Sequence, residues 1–164
     1  MIETTTSADG TTIAFERAGH GEPLLLLGDT RMPMTGLAGH LAPFFTVFTI
    51  TRRAADSADA AREIEDVAAV LRVAGGEAHL FGHASGAALA LTVAASGLPV
   101  VRVAVYEPTF VHPEVLSRIT APTLVIAGAG SEPAAGAGPH STRYLLDAPL
   151  TDAALAAVLE EFFG

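Results

Sequence analysis

The sequence contains no cysteine and no lysine, and no apolar run long enough to matter to a membrane. Without cysteine there is no disulfide framework and no thiolate chemistry. All nine cationic side chains are arginine, set against 18 acidic ones for a net charge of −9. A surface of that sign repels phosphate backbones, so nucleic acid is excluded as an expected partner. The missing lysine, beside abundant alanine, reads as GC-rich coding bias. Half of the residues are hydrophobic, yet Arg, Asp, Gly and Pro interrupt every apolar run before the roughly 18 residues of a bilayer span. The opening residues, Met1 to Gly10, have neither a basic n-region nor an apolar h-region, so the expectation is a cytoplasmic protein without a membrane partner. The six histidines show no His-x-His or His-Glu-x-x-His spacing, and no Gly-x-Gly-x-x-Gly follows a candidate strand. Neither a metal nor a dinucleotide cofactor is expected.

What is present is a regular alternation. Apolar runs predict strands over 2–7, 11–17, 23–28, 46–51, 78–82, 100–106, 121–128 and 141–146. Asp9-Gly10 separates the first two and predicts a hairpin, because both residues tolerate positive φ. The later runs are continuous in Leu, Val and Ile, which suits strands buried on both faces of a parallel sheet. Between them, Ile64, Val67, Ala68 and Leu71 form one helical stripe over 59–73, stopped by Gly75-Gly76. Leu155, Val158, Leu159 and Phe162 repeat the pattern over 151–163 behind Thr151-Asp152. Shorter helices are predicted over 35–44 and 86–96. An opening hairpin followed by β-α units predicts one doubly wound α/β domain over 1–164, with an eight-stranded, mostly parallel sheet. The stretch Ala134 to Gly138 is low in complexity and reads as a loop.

One motif carries chemistry. Gly82-His83-Ala84-Ser85-Gly86 stands between an apolar strand and a small-residue helix, the setting of the Gly-x-Ser-x-Gly nucleophile elbow. The elbow needs small residues two before and two after its centre. Centred on Ala84 these are Gly82 and Gly86; centred on Ser85 they would be His83 and Ala87. Alanine is therefore expected at the nucleophile position, with Ser85 following it.

With these residues in view, the chain resembles the α/β-hydrolase family over most of its length. The resemblance is to actinobacterial members whose elbow reads Gly-His-Ser-Ser-Gly. It is carried by "TTIAFERAG", "EPLLLLG", "FTVFTITRR", "EIEDVAAVLRVAGGEAHLFGHASGAALAL", "VAVYEP", "APTLVIAG" and "VLEEFFG". It implies a minimal α/β-hydrolase core with its site at the carboxyl ends of the strands. It also makes the departures visible. Ala84 stands where the family has its nucleophile. The loop after the third strand reads Gly28-Asp29-Thr30-Arg31, where the family presents small, amide-donating residues. A carboxylate at Asp29 would oppose the negative charge of acyl transfer, unless it turns outward or caps the next helix. No histidine lies between Leu145 and Leu150, where the family's should be, and Glu132 is at most a displaced acid. The segment Thr109 to Arg118 is too short for the helical cap that the family inserts after the strand ending at Tyr106-Glu107-Pro108, so the site is expected to be open.

The candidate groups at the strand ends are Asp29, Arg31, Arg52, Arg53, His83, Ser85, Glu107 and His112. His83 with Asp29 or Glu107 would make an acid/base pair, a carboxylate fixing the tautomer and raising the basicity of the ring. Arg52 and Arg53 could bind a ligand carboxylate or phosphate, or instead anchor a loop to a helix. Met32, Met34, Leu37, Phe110 and Val111 border the space a cap would cover, as a ligand pocket or as the face of a homodimer that replaces the cap. Three functions fit: a repurposed fold doing non-hydrolytic proton transfer (cyclase, isomerase or dehydratase type) on a small biosynthetic intermediate; a binding module or pseudoenzyme; and a residual hydrolase that uses Ser85.

Overall fold

The computed structural model describes residues 2–28, 34–53, 59–108, 111–128, 140–146 and 151–164. The hairpin is the first element: β1 (Ile2–Thr6) pairs antiparallel with β2 (Thr12–Gly19). Gly10 has φ 88°, and the Asp9 carboxylate accepts from the Thr11 amide at 3.0 Å, so the turn is held by its own side chain. Then follow β3 (Glu22–Leu27), α1 (Thr35–Leu41), β4 (Phe45–Ile50), α2 (Ala60–Val73), β5 (Ala78–His83), α3 (Ser85–Ala95), β6 (Val100–Tyr106), α4 (Pro113–Leu116), β7 (Thr123–Gly128), β8 (Ser141–Leu146) and α5 (Asp152–Phe163).

The strands form one sheet in the order β1-β2-β4-β3-β5-β6-β7-β8, parallel from β4 onward. The run Leu24 to Leu27 shows why a continuous apolar segment becomes an inner strand. Leu25 and Leu27 enter the cluster on the α2/α3 face, and Leu24 and Leu26 enter the one beneath α1 and α5, all four fully buried. Each is worth about 1.5–3 kcal/mol of burial, so a slip of the strand to an edge would be costly. The chain leaves β3 toward β4 on one side and returns through α2 to β5 on the other. The switch point of this doubly wound sheet therefore lies between the carboxyl ends of β3 and β5, where such folds hold ligands.

Three helices differ instructively from their sequence patterns. The first ends at Leu41, because Ala42 to Phe44 turn before Phe45 enters β4. In α2 the buried face includes Glu63 and Asp66 beside Val67, Val70 and Leu71, a stripe that a purely apolar pattern misses. In α5 the stripe is rotated by one residue: Phe163 is fully buried and Phe162 only partly so. The four-residue α4 was not expected; Pro113 opens it and the His112 ring accepts from the Glu114 amide at 3.4 Å. Among the described residues, no helix is long and apolar enough to cross a membrane.

Candidate functional site

Between β5 and α3 the chain turns through Ala84, whose φ is 53° and ψ −117°. Alanine occupies that region at a cost of about 1–3 kcal/mol, so the surroundings must enforce it. They do so through two glycines. A Cβ on Gly82 would strike the Gly86 carbonyl, and one on Gly86 would strike the Leu27 carbonyl at the end of β3. These close approaches require glycine at 82 and 86, which centres the elbow on Ala84, as the sequence predicts. The Ala84 amide donates to the Tyr106 carbonyl at 3.0 Å, tying the turn to the neighbouring strand. Ser85 is the first residue of α3.

The second arginine-bearing layer lies under this turn. Arg52, just past β4, makes a two-pronged pair with Glu63 of α2: Nε donates to Oε1 at 3.0 Å and Nη2 to Oε2 at 3.1 Å. Its Nη1 donates to the Gly28 carbonyl at 3.0 Å and to the Ser85 hydroxyl at 2.9 Å. Both side chains of the pair are nearly enclosed, 9% and 8% exposed. Arg53 repeats the arrangement on Asp66, at 2.7 and 2.6 Å, and reaches Asp9 of the hairpin turn at 3.2 Å. Bonds from Thr11 and then Arg53 hold the Asp9 carboxyl well below the usual carboxylate range, and Asp66 holds the Arg53 guanidinium above its ordinary value. Both arginines thus take the anchoring role rather than that of ligand clamps. Their guanidinium faces are engaged by buried carboxylates, and a ligand anion would have to displace those. The cavity beside them, lined by Leu27, Thr51, Arg52, Glu63, Asp66 and Leu89 among others, measures about 10 Å³, room for about one water molecule.

A different set of polar groups gathers at the ends of β5 and β6. His83 and Tyr106 are register partners, and their rings stack at 5.0 Å with 28° between planes. The next residue, Glu107, has φ 46°, and its amide donates to the Ile126 carbonyl at 3.0 Å. Among the described residues, Ala84 and Glu107 are the two non-glycine residues with positive φ, and they end adjacent strands. The Tyr106 phenol is pushed above its usual value, first by burial and then by the negative charge of the neighbouring Glu107. Glu107 is exposed and His83 half-buried.

Of the residues expected at the site, His83, Ala84, Ser85 and Glu107 come together at the strand ends. Arg52 and Arg53 brace the layer beneath. Asp29, Arg31, Met32 and Phe110 lie outside the described residues, as does Glu132. His112 is the cap of α4, and Val111 and Met34 pack against the core clusters. Sequence reasoning missed Tyr106, Glu63 and Asp66. The signal for the acids was their i, i+3 spacing on the inner side of α2, opposite a pair of adjacent arginines. Among the described residues, no group of three or more His, Cys, Asp or Glu could hold a metal ion.

An eight-stranded, mostly parallel sheet with a strained strand-to-helix turn at its switch point defines the α/β-hydrolase class of fold. The chain belongs to the alpha/beta hydrolase family, whose model matches residues 5–164. Among solved structures it is similar to an alpha/beta hydrolase from Sphaerobacter thermophilus DSM 20745, at 29% identity and a TM-score of 0.90, over 99% of this chain and 100% of that one. It is similar in fold to the esterase RhEst1 from Rhodococcus sp. ECU1013, at 16% identity and a TM-score of 0.82, over 98% of each chain. The naproxen esterase from Bacillus subtilis superposes with a TM-score of 0.84 at 11% identity, over 100% of this chain and 92% of that one. The comparison with curated proteins yields no match.

Proposed function

We propose that this member of the alpha/beta hydrolase family is a non-hydrolytic one that moves protons on a small molecule, in a reaction of the cyclase, isomerase or dehydratase type. The observation that carries the reading is the pair of strained residues, Ala84 and Glu107, side by side at the ends of β5 and β6. Strain of this kind persists where it serves a site. At Ala84 there is no hydroxyl to present, so what the strain preserves is the backbone turn that opens α3, and the amides of a helix N-terminus carry partial positive charge. Such amides stabilise negative charge developing on a substrate oxygen, as in an enolate, whether or not a nucleophile stands beside them. Glu107 and His83 supply the acid and base beside them. A carboxylate that takes a proton from one carbon and returns it to another, or passes it through the imidazole, balances without any added reactant. Asp29, the other carboxylate that the sequence offers as a partner of His83, belongs to this proposal as well.

A hydrolase built on Ser85 fits less well. The Arg52 guanidinium that bonds its hydroxyl is a donor with no acceptor and cannot take its proton. The binding-module alternative is favoured by one observation: Arg52 ties Ser85 and Gly28 into the scaffold, as a fold kept for its shape would require. The open, cap-less face and a homodimer covering it belong to either reading. The experiment is native mass spectrometry of the protein purified from an extract of its own host. The reading expects a discrete small-molecule mass that is lost from His83→Ala and Glu107→Gln, and turnover of that compound falling by about 10² or more in each variant. A protein that carries no small molecule, or only a second protein, would overturn it.

A further inference from the structure

We propose that Arg52 is a positioning residue of this site, a rigid tie that sets the first turn of α3 against the exit of β3. Its guanidinium joins three segments. Nε and Nη2 are fixed to Glu63 of α2 at 3.0 and 3.1 Å, and Nη1 divides between the Gly28 carbonyl at 3.0 Å and the Ser85 hydroxyl at 2.9 Å. Gly28 follows β3 and Ser85 opens α3, so the two acceptors of Nη1 stand on opposite walls of the switch point. The walls touch beside the tie, because a Cβ on Gly86 would strike the Leu27 and Gly28 carbonyls. A guanidinium is planar and its donors keep fixed directions, so anchoring one edge on a carboxylate fixes where the other edge points. With Arg52 9% and Glu63 8% exposed, water competes little for these bonds. Toward β6 the elbow is held by the Ala84 amide on the Tyr106 carbonyl at 3.0 Å. The strained residue is thus braced from one side through its own amide and from the other through the residue that follows it. This gives the Ser85 hydroxyl a role that needs no nucleophile, as a point of attachment. Arg52 acts on the reaction through the placement of the amides that open α3, where a displacement of about 1 Å can cost on the order of 10² in rate.

The consequence for catalysis rests on the acid/base reading above, but the contacts themselves are tested without a substrate, by NMR at neutral pH. A held guanidinium shows its Nη protons as separate signals, and those on Nη1 should shift in Ser85→Ala while those on Nη2 stay in place. The Ala87 and Ala88 amides donate to the Ala84 carbonyl at 3.0 and 3.2 Å, so their hydrogen exchange reports opening of the elbow. Ser85→Ala and Glu63→Gln should each quicken that exchange by about tenfold or more, the loss expected for a charge-assisted bond. The Leu155 amide of α5, bonded to the Thr151 carbonyl on the other face of the sheet, should keep its rate. In an Arg52→Met background, Glu63→Gln should add nothing at Ala87 and Ala88, because the link from α2 to the elbow passes through the guanidinium. Should Arg52→Met fail to fold, the Nη signals and the single variants decide. Averaged Nη protons in the wild type, or elbow amides indifferent to Glu63→Gln, would overturn the proposal. So would an equal response to Glu63→Gln with and without Arg52, since packing of α2 would then explain it. Each of these results leaves the acid/base reading to its own test, and a protein without a bound small molecule would remove that reading while leaving the tie in place.

Discussion

Replacing Arg52 by methionine tests the layer on which the site stands. The substitution keeps the length and apolar stem of the side chain and removes the four hydrogen bonds that the guanidinium makes to Glu63, Gly28 and Ser85. Glu63, 8% exposed, is then a buried carboxylate without its cation. Breaking one side of a buried pair costs about 3–5 kcal/mol. Two features pull toward the lower end. Glu63 lies in the first turn of α2, where the helix dipole favours a carboxylate by up to about 1 kcal/mol. The adjacent cavity has room for about one water, which could solvate it. We therefore expect a loss of about 3 kcal/mol in urea unfolding, a large part of the 5–15 kcal/mol typical of a domain. In a thermal scan this is a fall of roughly 6–12 °C. The double variant Arg52→Met/Glu63→Leu removes both charges and should recover at least half of the loss, because apolar replacements of buried pairs are often neutral. A loss below about 1 kcal/mol in Arg52→Met, the range of an exposed pair, would refute the reasoning. So would a double variant no better than the single one, since packing rather than charge would then explain the effect.

Other outcomes follow from the same geometry. Gly86→Ala drives a methyl into the Leu27 carbonyl, so it should cost at least about 2 kcal/mol in denaturant unfolding, whereas Gly39→Ala, with open space around it, should be near neutral. Asp9, held below the usual carboxylate range, contributes stability that is present above pH 3.8 and lost as pH falls below it; Asp9→Asn should flatten that limb of an acid-unfolding profile. Tyr106, raised above 10.0, contributes stability that is present below pH 10 and lost as the medium becomes more alkaline; Tyr106→Phe should retain more of its fold there by circular dichroism. Incubation with an activated ester should leave Ser85 unmodified by mass spectrometry; an acyl group on Ser85 that is absent from Ser85→Ala would restore the hydrolase reading.

Most of the sheet could be read from the sequence because the inner strands are short, mostly apolar runs separated by Gly, Pro or charged residues. Leu24 to Leu27 is the clearest case, since burial on both faces erases polar alternation and leaves no other assignment. The elbow was legible for a steric reason: Gly82 and Gly86 each stand where a Cβ would meet backbone, and that centres the turn on Ala84. The roles of Arg52 and Arg53 were not, because two adjacent arginines present the same pattern whether they face a ligand or a helix. What decides is that Glu63 and Asp66 turn inward on α2, a tertiary fact that no local period encodes. Tyr106 was hidden by its neighbour. The sequence drew attention to the charge on Glu107, while the residue whose ring stacks on His83 looked like the last apolar position of a strand.

The central claim is that the strand ends carry out proton transfer rather than hydrolysis or storage. The most direct test is to recover the small molecule that co-purifies with the protein, return it with fresh enzyme in heavy water, and weigh it. The account predicts conversion, or deuterium taken up at carbon, at a rate that depends on the enzyme and is lost in Glu107→Gln. A compound recovered unchanged and undeuterated from the wild-type protein would contradict it and leave a binding module in its place.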